Sequence, residues 1–89
     1  MNAERRSRLR DIRRKLRTMK ENISDVREEL SSVADEEDDA RSNIPDSLSE
    51  TDRYERSEEC SDAMESALSA IDDASSSIED AIDSIEEAI

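Results

Sequence analysis

The chain has 89 residues, with 13 Lys and Arg against 26 Asp and Glu and a formal net charge of −13. Gly, His, Trp and Phe are absent, and Pro, Tyr and Cys occur once each. This limits the chain to one small domain and argues against β folds and loop-built active sites, which need turn glycines and aromatic anchors; without histidine there is no His-based triad and no Glu-x-x-His di-metal centre.

Charged residues make up 44% and hydrophobic residues 33%, a balance that composition alone would assign to disorder. Periodicity decides otherwise. In the first segment Leu9, Ile12, Leu16, Met19, Ile23, Val26, Leu30 and Val33 are spaced alternately by three and four. With Leu9 at position a, this predicts a helix over about 3–43 with an a/d seam held for about four heptads. Its rims at e and g carry Arg8, Arg13, Lys15, Lys20 and Arg27.

The stretch SNIPDSLSETD follows. Pro45 lacks an amide hydrogen and biases Ile44 away from helical dihedrals, so the chain should turn at about 44–47. Ser47 with Glu50 fits a capping box for a second helix over about 48–89, and Ser49 and Thr51 are alternative caps. In that helix Met64, Ile71, Ile78 and Ile85 hold position a, and Cys60, Ala67, Ala74, Ala81 and Ala88 hold d. Position e adds Leu68, Ile82 and Ile89, while g carries Ala63, Ala70, Ser77 and Ser84. Small residues at d and g let a neighbouring helix come close, and the apolar e positions widen the face.

Two helices of similar length around one hinge predict an all-α fold, an antiparallel two-helix coiled-coil hairpin forming a single domain over 1–89. Charge supports that direction. Residues 1–20 carry net +7, residues 21–56 net −9, and residues 57–89 hold eleven acids and no base. Folding back sets the basic turns beside the acidic ones, whereas parallel association stacks like charges. Exposed pairs are worth at most about 1 kcal/mol each, so charge selects orientation and the apolar seams supply stability. A two-helix hairpin buries only one side of each helix, so a homodimer is expected, a four-helix bundle with Leu68, Ile82 and Ile89 against the second copy.

Chemistry-bearing motifs are sparse. The run Asp35 to Asp39 lacks the glycine and ligand spacing of an EF-hand and supports only weak, non-specific association with a divalent cation. Cys60 at d reads as a small core residue, and Tyr54 beside the hinge as local packing. The arginine-rich stretch over 4–20 resembles a nucleic-acid-binding arm, but an acidic helix lies alongside it and no aromatic is available for stacking. Direct binding of nucleic acid is therefore not expected. No cofactor is expected either. The basic start has no apolar core of a signal peptide, no run reaches membrane length, and a single Cys fits a reducing compartment, so a cytoplasmic location is expected. Asn22-Ile23-Ser24 is then a chance sequon.

The candidate site is a surface. Glu58, Glu59, Glu65, Asp72, Asp73, Glu79, Asp80, Glu86 and Glu87 occupy b and c, one cluster in nearly every heptad, with Asp62 and Asp83 beside them. Solvent faces of coiled coils are ordinarily charged but mix both signs. A line of carboxylates without bases can imitate nucleic-acid phosphates before a basic cleft.

Asn2-Ala3-Glu4-Arg5-Arg6, the hinge Asn43-Ile44-Pro45-Asp46-Ser47-Leu48 and the run Ala81-Ile82-Asp83-Ser84-Ile85-Glu86-Glu87-Ala88-Ile89 together resemble a group of small acidic helical proteins encoded by phages and mobile elements of Gram-positive bacteria. The resemblance spans the chain and implies a setting in which short acidic proteins inhibit host defence, as anti-CRISPR proteins do. It brings no catalytic residues with it. Two functions stay open: a non-enzymatic inhibitor that presents its carboxylates to a nucleic-acid-binding host defence protein, and a self-associating coiled-coil scaffold.

Overall fold

A computed structural model of the protein describes residues 1–48 and 51–89. Helix α1 runs Ala3–Ser42, a short 3-10 turn covers Asp46–Leu48, and helix α2 runs Asp52–Ala88. The two long helices pack antiparallel as a hairpin, and no strand occurs among the described residues.

Local chemistry sets the boundaries. Asn2 caps α1: its Oδ1 accepts the Arg5 amide at 2.9 Å, satisfying one of the donors that a helix start leaves without a partner. At the other end the Ile44 amide bonds the Arg41 carbonyl at 3.0 Å, and Pro45 then stops the helix. The Leu48 amide closes on the Pro45 carbonyl at 2.8 Å to form the short turn. α2 begins at Asp52, four residues later than the spacing predicts. Thr51 is its cap, with Oγ1 accepting the Tyr54 amide at 3.4 Å and donating to the Leu48 carbonyl at 2.8 Å. Ser47 is spent inside the 3-10 turn, while its expected capping-box partner Glu50 and the alternative cap Ser49 lie outside the described residues.

The chain divides into two compact units. A terminal unit joins Met1–Val26 to Ile71–Ile89, and a hinge unit comprises Arg27–Ala70. In the terminal unit the screened residues of α1 are Leu9, Arg13, Leu16, Lys20 and Ile23, and opposite them lie Ile71, Ser75, Ile78, Ile82 and Ile85 of α2, Ile89 just beyond its end, and Glu79 at the edge of the seam. In the hinge unit they include Leu30, Ala34, Glu37 and Arg41 of α1 and Ser57, Ser61, Met64 and Leu68 of α2.

Both units therefore close through positions a and e, where the apolar spacing predicts a and d. α2 explains the shift. Its e positions hold Leu68, Ile82 and Ile89 and its d positions only alanine and cysteine, so turning e inward removes more apolar area from water. On α1 the e positions Arg13 and Lys20 lay aliphatic stems along the seam and keep their charged heads outside. This phase uses up the residues expected to hold a second copy. Ile82 is 4% exposed within the single chain, and Leu68 and Ile89 are half-buried. Cys60, expected in the core, is exposed for the same reason. Tyr54 beside the hinge is half-buried. The remainder appears on α1, where the d residues Ile12, Met19, Val26 and Val33 are 45%, 50%, 51% and 52% exposed.

Candidate partner-binding surface

Rotation of the seam from a/d to a/e moves position b from the outside of α2 to the edge of the seam. Two of the nine candidate carboxylates are captured as a result. Glu86 Oε1 accepts from Arg17 Nη2 at 2.7 Å and lies 3.9 Å from Arg13 Nη1. Glu79 pairs with Lys20. Asp72 is exposed and already has a partner, as does Arg27. The other six, Glu58, Glu59, Glu65, Asp73, Asp80 and Glu87, are exposed and engaged by no ion pair among the described residues.

The two units differ sharply in charge. The terminal unit contains nine bases and eleven acids, for a net −2. The hinge unit contains four bases and fifteen acids, for a net −11. Nearly all of the chain's excess negative charge thus belongs to residues 27–70. Glu58, Glu59 and Glu65 are there, with exposed Asp62 on the same helix and exposed Asp35, Glu36 and Asp39 on α1.

Within the hinge unit, part of the acidic run is structural. Glu37 Oε1 accepts from Ser57 Oγ at 2.7 Å, and Ser57 is buried. Asp38 Oδ1 accepts from Arg41 Nη2 and from Ser61 Oγ, both at 2.9 Å. Arg41 Nη1 donates further to Ser61 Oγ at 2.7 Å and to the Ser57 carbonyl at 3.3 Å. This is a polar continuation of the heptad seam. Glu37 and Arg41 hold the a and e positions that follow Leu30 and Ala34, and Ser57 and Ser61 hold those that precede Met64 and Leu68. Each polar group finds a partner, which the cost of burying an unsatisfied donor or acceptor demands. Sequence reasoning stopped the α1 seam at Val33 and missed it, although carrying the heptad one repeat further reaches Glu37.

Asp38 and Glu37 thereby spend oxygens on protein donors. Among the described residues no group of three or more His, Cys, Asp or Glu is arranged to hold a metal ion. No described helix is long and apolar enough to cross a membrane. Neither a protein-family model, nor a curated protein, nor a solved structure matches the chain.

Proposed function

We propose that the protein is a non-enzymatic binding module that presents carboxylates to a basic, nucleic-acid-binding partner, as an inhibitor encoded by a phage or mobile element would toward a host defence protein. The observation that carries this reading is the concentration of charge: net −11 on residues 27–70, with Glu58, Glu59, Asp62 and Glu65 exposed along α2. Carboxylates fixed on a helix stay where they are when a partner arrives, so little ordering is needed at binding. A partner that binds phosphates through Lys and Arg meets comparable charge here, and the association should be steep in salt. Glu79 and Glu86 take no part, because bases of the same chain already neutralise them.

The test begins with proteins from the host retained on the immobilised chain at low salt. The reading expects a retained protein that binds nucleic acid, that oligonucleotide competes off the chain, and that is lost when Glu58, Glu59, Asp62 and Glu65 are changed together to Lys. A partner indifferent to both the oligonucleotide and the four substitutions overturns it. The exposed apolar residues Ile12, Met19 and Val26 favour a second reading, a self-associating scaffold, in which those residues and not the acids govern activity.

A further inference from the structure

The terminal unit leaves one side open. Arg17, Lys20 and Glu21 of α1 and Glu79, Ile82 and Glu86 of α2 line a single groove, so the b and e positions of both helices open on the same side. In an antiparallel pair joined through a and e, the d positions of both helices then share the opposite side. On that side α1 offers Ile12, Met19 and Val26, about half exposed, and α2 offers exposed Ala74, Ala81 and Ala88. Bulky residues occupy one helix and alanines the other.

The geometry points to a second copy of this chain as the occupant, related by a two-fold axis parallel to the helices, with α1 of each copy lying over α2 of the other. A rotation about such an axis leaves every residue at its own height. The pairs Arg13–Glu86 and Lys20–Glu79 give the heights within one copy. Together with Arg17–Glu86 they bracket a register that puts Ile12 level with Ala88, Met19 with Ala81 and Val26 with Ala74 to within about one helical turn of ~5.4 Å, half the spacing between successive d positions. The second copy's α1 therefore sets a large side chain over an alanine at all three levels, the close approach that small residues permit. Charge agrees. Arg8 and Lys15, at the g positions of the incoming helix, project past Ser77 and Ser84 toward the exposed Asp80 and Glu87. A two-fold perpendicular to the helices through this unit would instead lay nine bases on nine. The isologous arrangement is closed, so it stops at two copies. It is independent of the acidic-surface reading.

Sedimentation equilibrium with parallel circular dichroism tests the inference. The wild-type chain should sediment at twice its 10.1 kDa mass. Met19→Glu should raise the dimer dissociation constant by roughly 100-fold, because symmetry counts the loss at both copies. Met19→Ala and Ala81→Met should each weaken the dimer by about tenfold or more, while the double variant returns to within about threefold of wild type, a coupling that only facing residues show. Three results would overturn the proposal: a wild-type chain that is helical and monomeric at ~100 μM, an assembly larger than two, or a double variant that merely adds the two single losses. The double variant keeps the test decisive even if Met19→Glu loses helix content.

Discussion

Replacing Ile82 with alanine separates the observed seam from the one that apolar spacing alone predicts. Ile82 sits at e, 4% exposed, in the middle of the terminal unit. The substitution removes three buried carbon atoms. At about 0.8 kcal/mol per buried methylene the transfer loss is about 2.4 kcal/mol. Ile→Ala changes in closed cores cost about 2–5 kcal/mol because a cavity remains, but this seam borders an open groove and can relax, so the low end applies. An expected loss of about 2.5 kcal/mol corresponds to a fall in Tm of about 10–20 °C for a domain of this size.

The assay is urea unfolding followed by circular dichroism at the helical band, with variant and wild type at matched protein concentration and the comparison repeated after dilution. Because Ile82 is covered within one chain, the difference should persist at concentrations where no dimer forms. A loss below about 1 kcal/mol would refute burial in the hairpin seam. So would a loss that disappears on dilution, since that behaviour belongs to a residue held between copies.

Glu86→Lys turns two attractions with Arg13 and Arg17 into repulsions, and at ~0.1 M salt should cost about 1–2 kcal/mol given the partial exposure of all three groups. Raising salt to ~1 M shortens the screening length from about 10 Å to about 3 Å and should halve that penalty or better, read from urea midpoints at the two salt concentrations. Ser57→Ala leaves the Glu37 carboxylate without its 2.7 Å donor in the hinge unit, for an expected loss of about 1–1.5 kcal/mol by the same measurement. Thr51→Ala removes the cap of α2 and should cost about 0.5 kcal/mol, since its 3.4 Å bond is long; Ser47→Ala, inside the 3-10 turn, should stay within about 0.3 kcal/mol, and the reverse order would move the start of the helix.

The hairpin was legible because it rests on strong local signals. Seven-residue recurrence identifies both helices, and Pro45 ends α1 at Ser42, one residue from the spacing estimate. Antiparallel direction follows from the basic and acidic ends, and the pairs Arg17–Glu86 and Lys20–Glu79 realise it. The start of α2 was less legible because three hydroxyl residues over 47–51, each a plausible cap, compete there, and the winner depends on the tight turn that Pro45 initiates.

The phase of the seam was hidden for a different reason. Heptad spacing read one helix at a time puts the seam at a and d of both, yet the largest residues lie at a and d of α1 and at a and e of α2. A shared seam must satisfy both, and the conflict is settled by area. Three large residues at e of α2 outweigh the d set of α1, because α1 can still line an a/e seam with Leu9, Leu16 and Ile23 and the stems of Arg13 and Lys20. α2 has no comparable substitute at d. Apart from the start of α2, the misplaced residues follow from this one rotation of the seam. Cys60 turns outward, Ile82 turns inward, and Glu79 and Glu86 move from a free surface into ion pairs. The same rotation separates the two roles available to the surface. Three of the four apolar α1 residues displaced from the seam, Ile12, Met19 and Val26, are exposed on a unit whose net charge is only −2, where self-association meets little overall repulsion. Glu58, Glu59, Asp62 and Glu65 remain exposed on the unit carrying −11, and it is on this concentration of charge that the proposed binding of a basic partner rests.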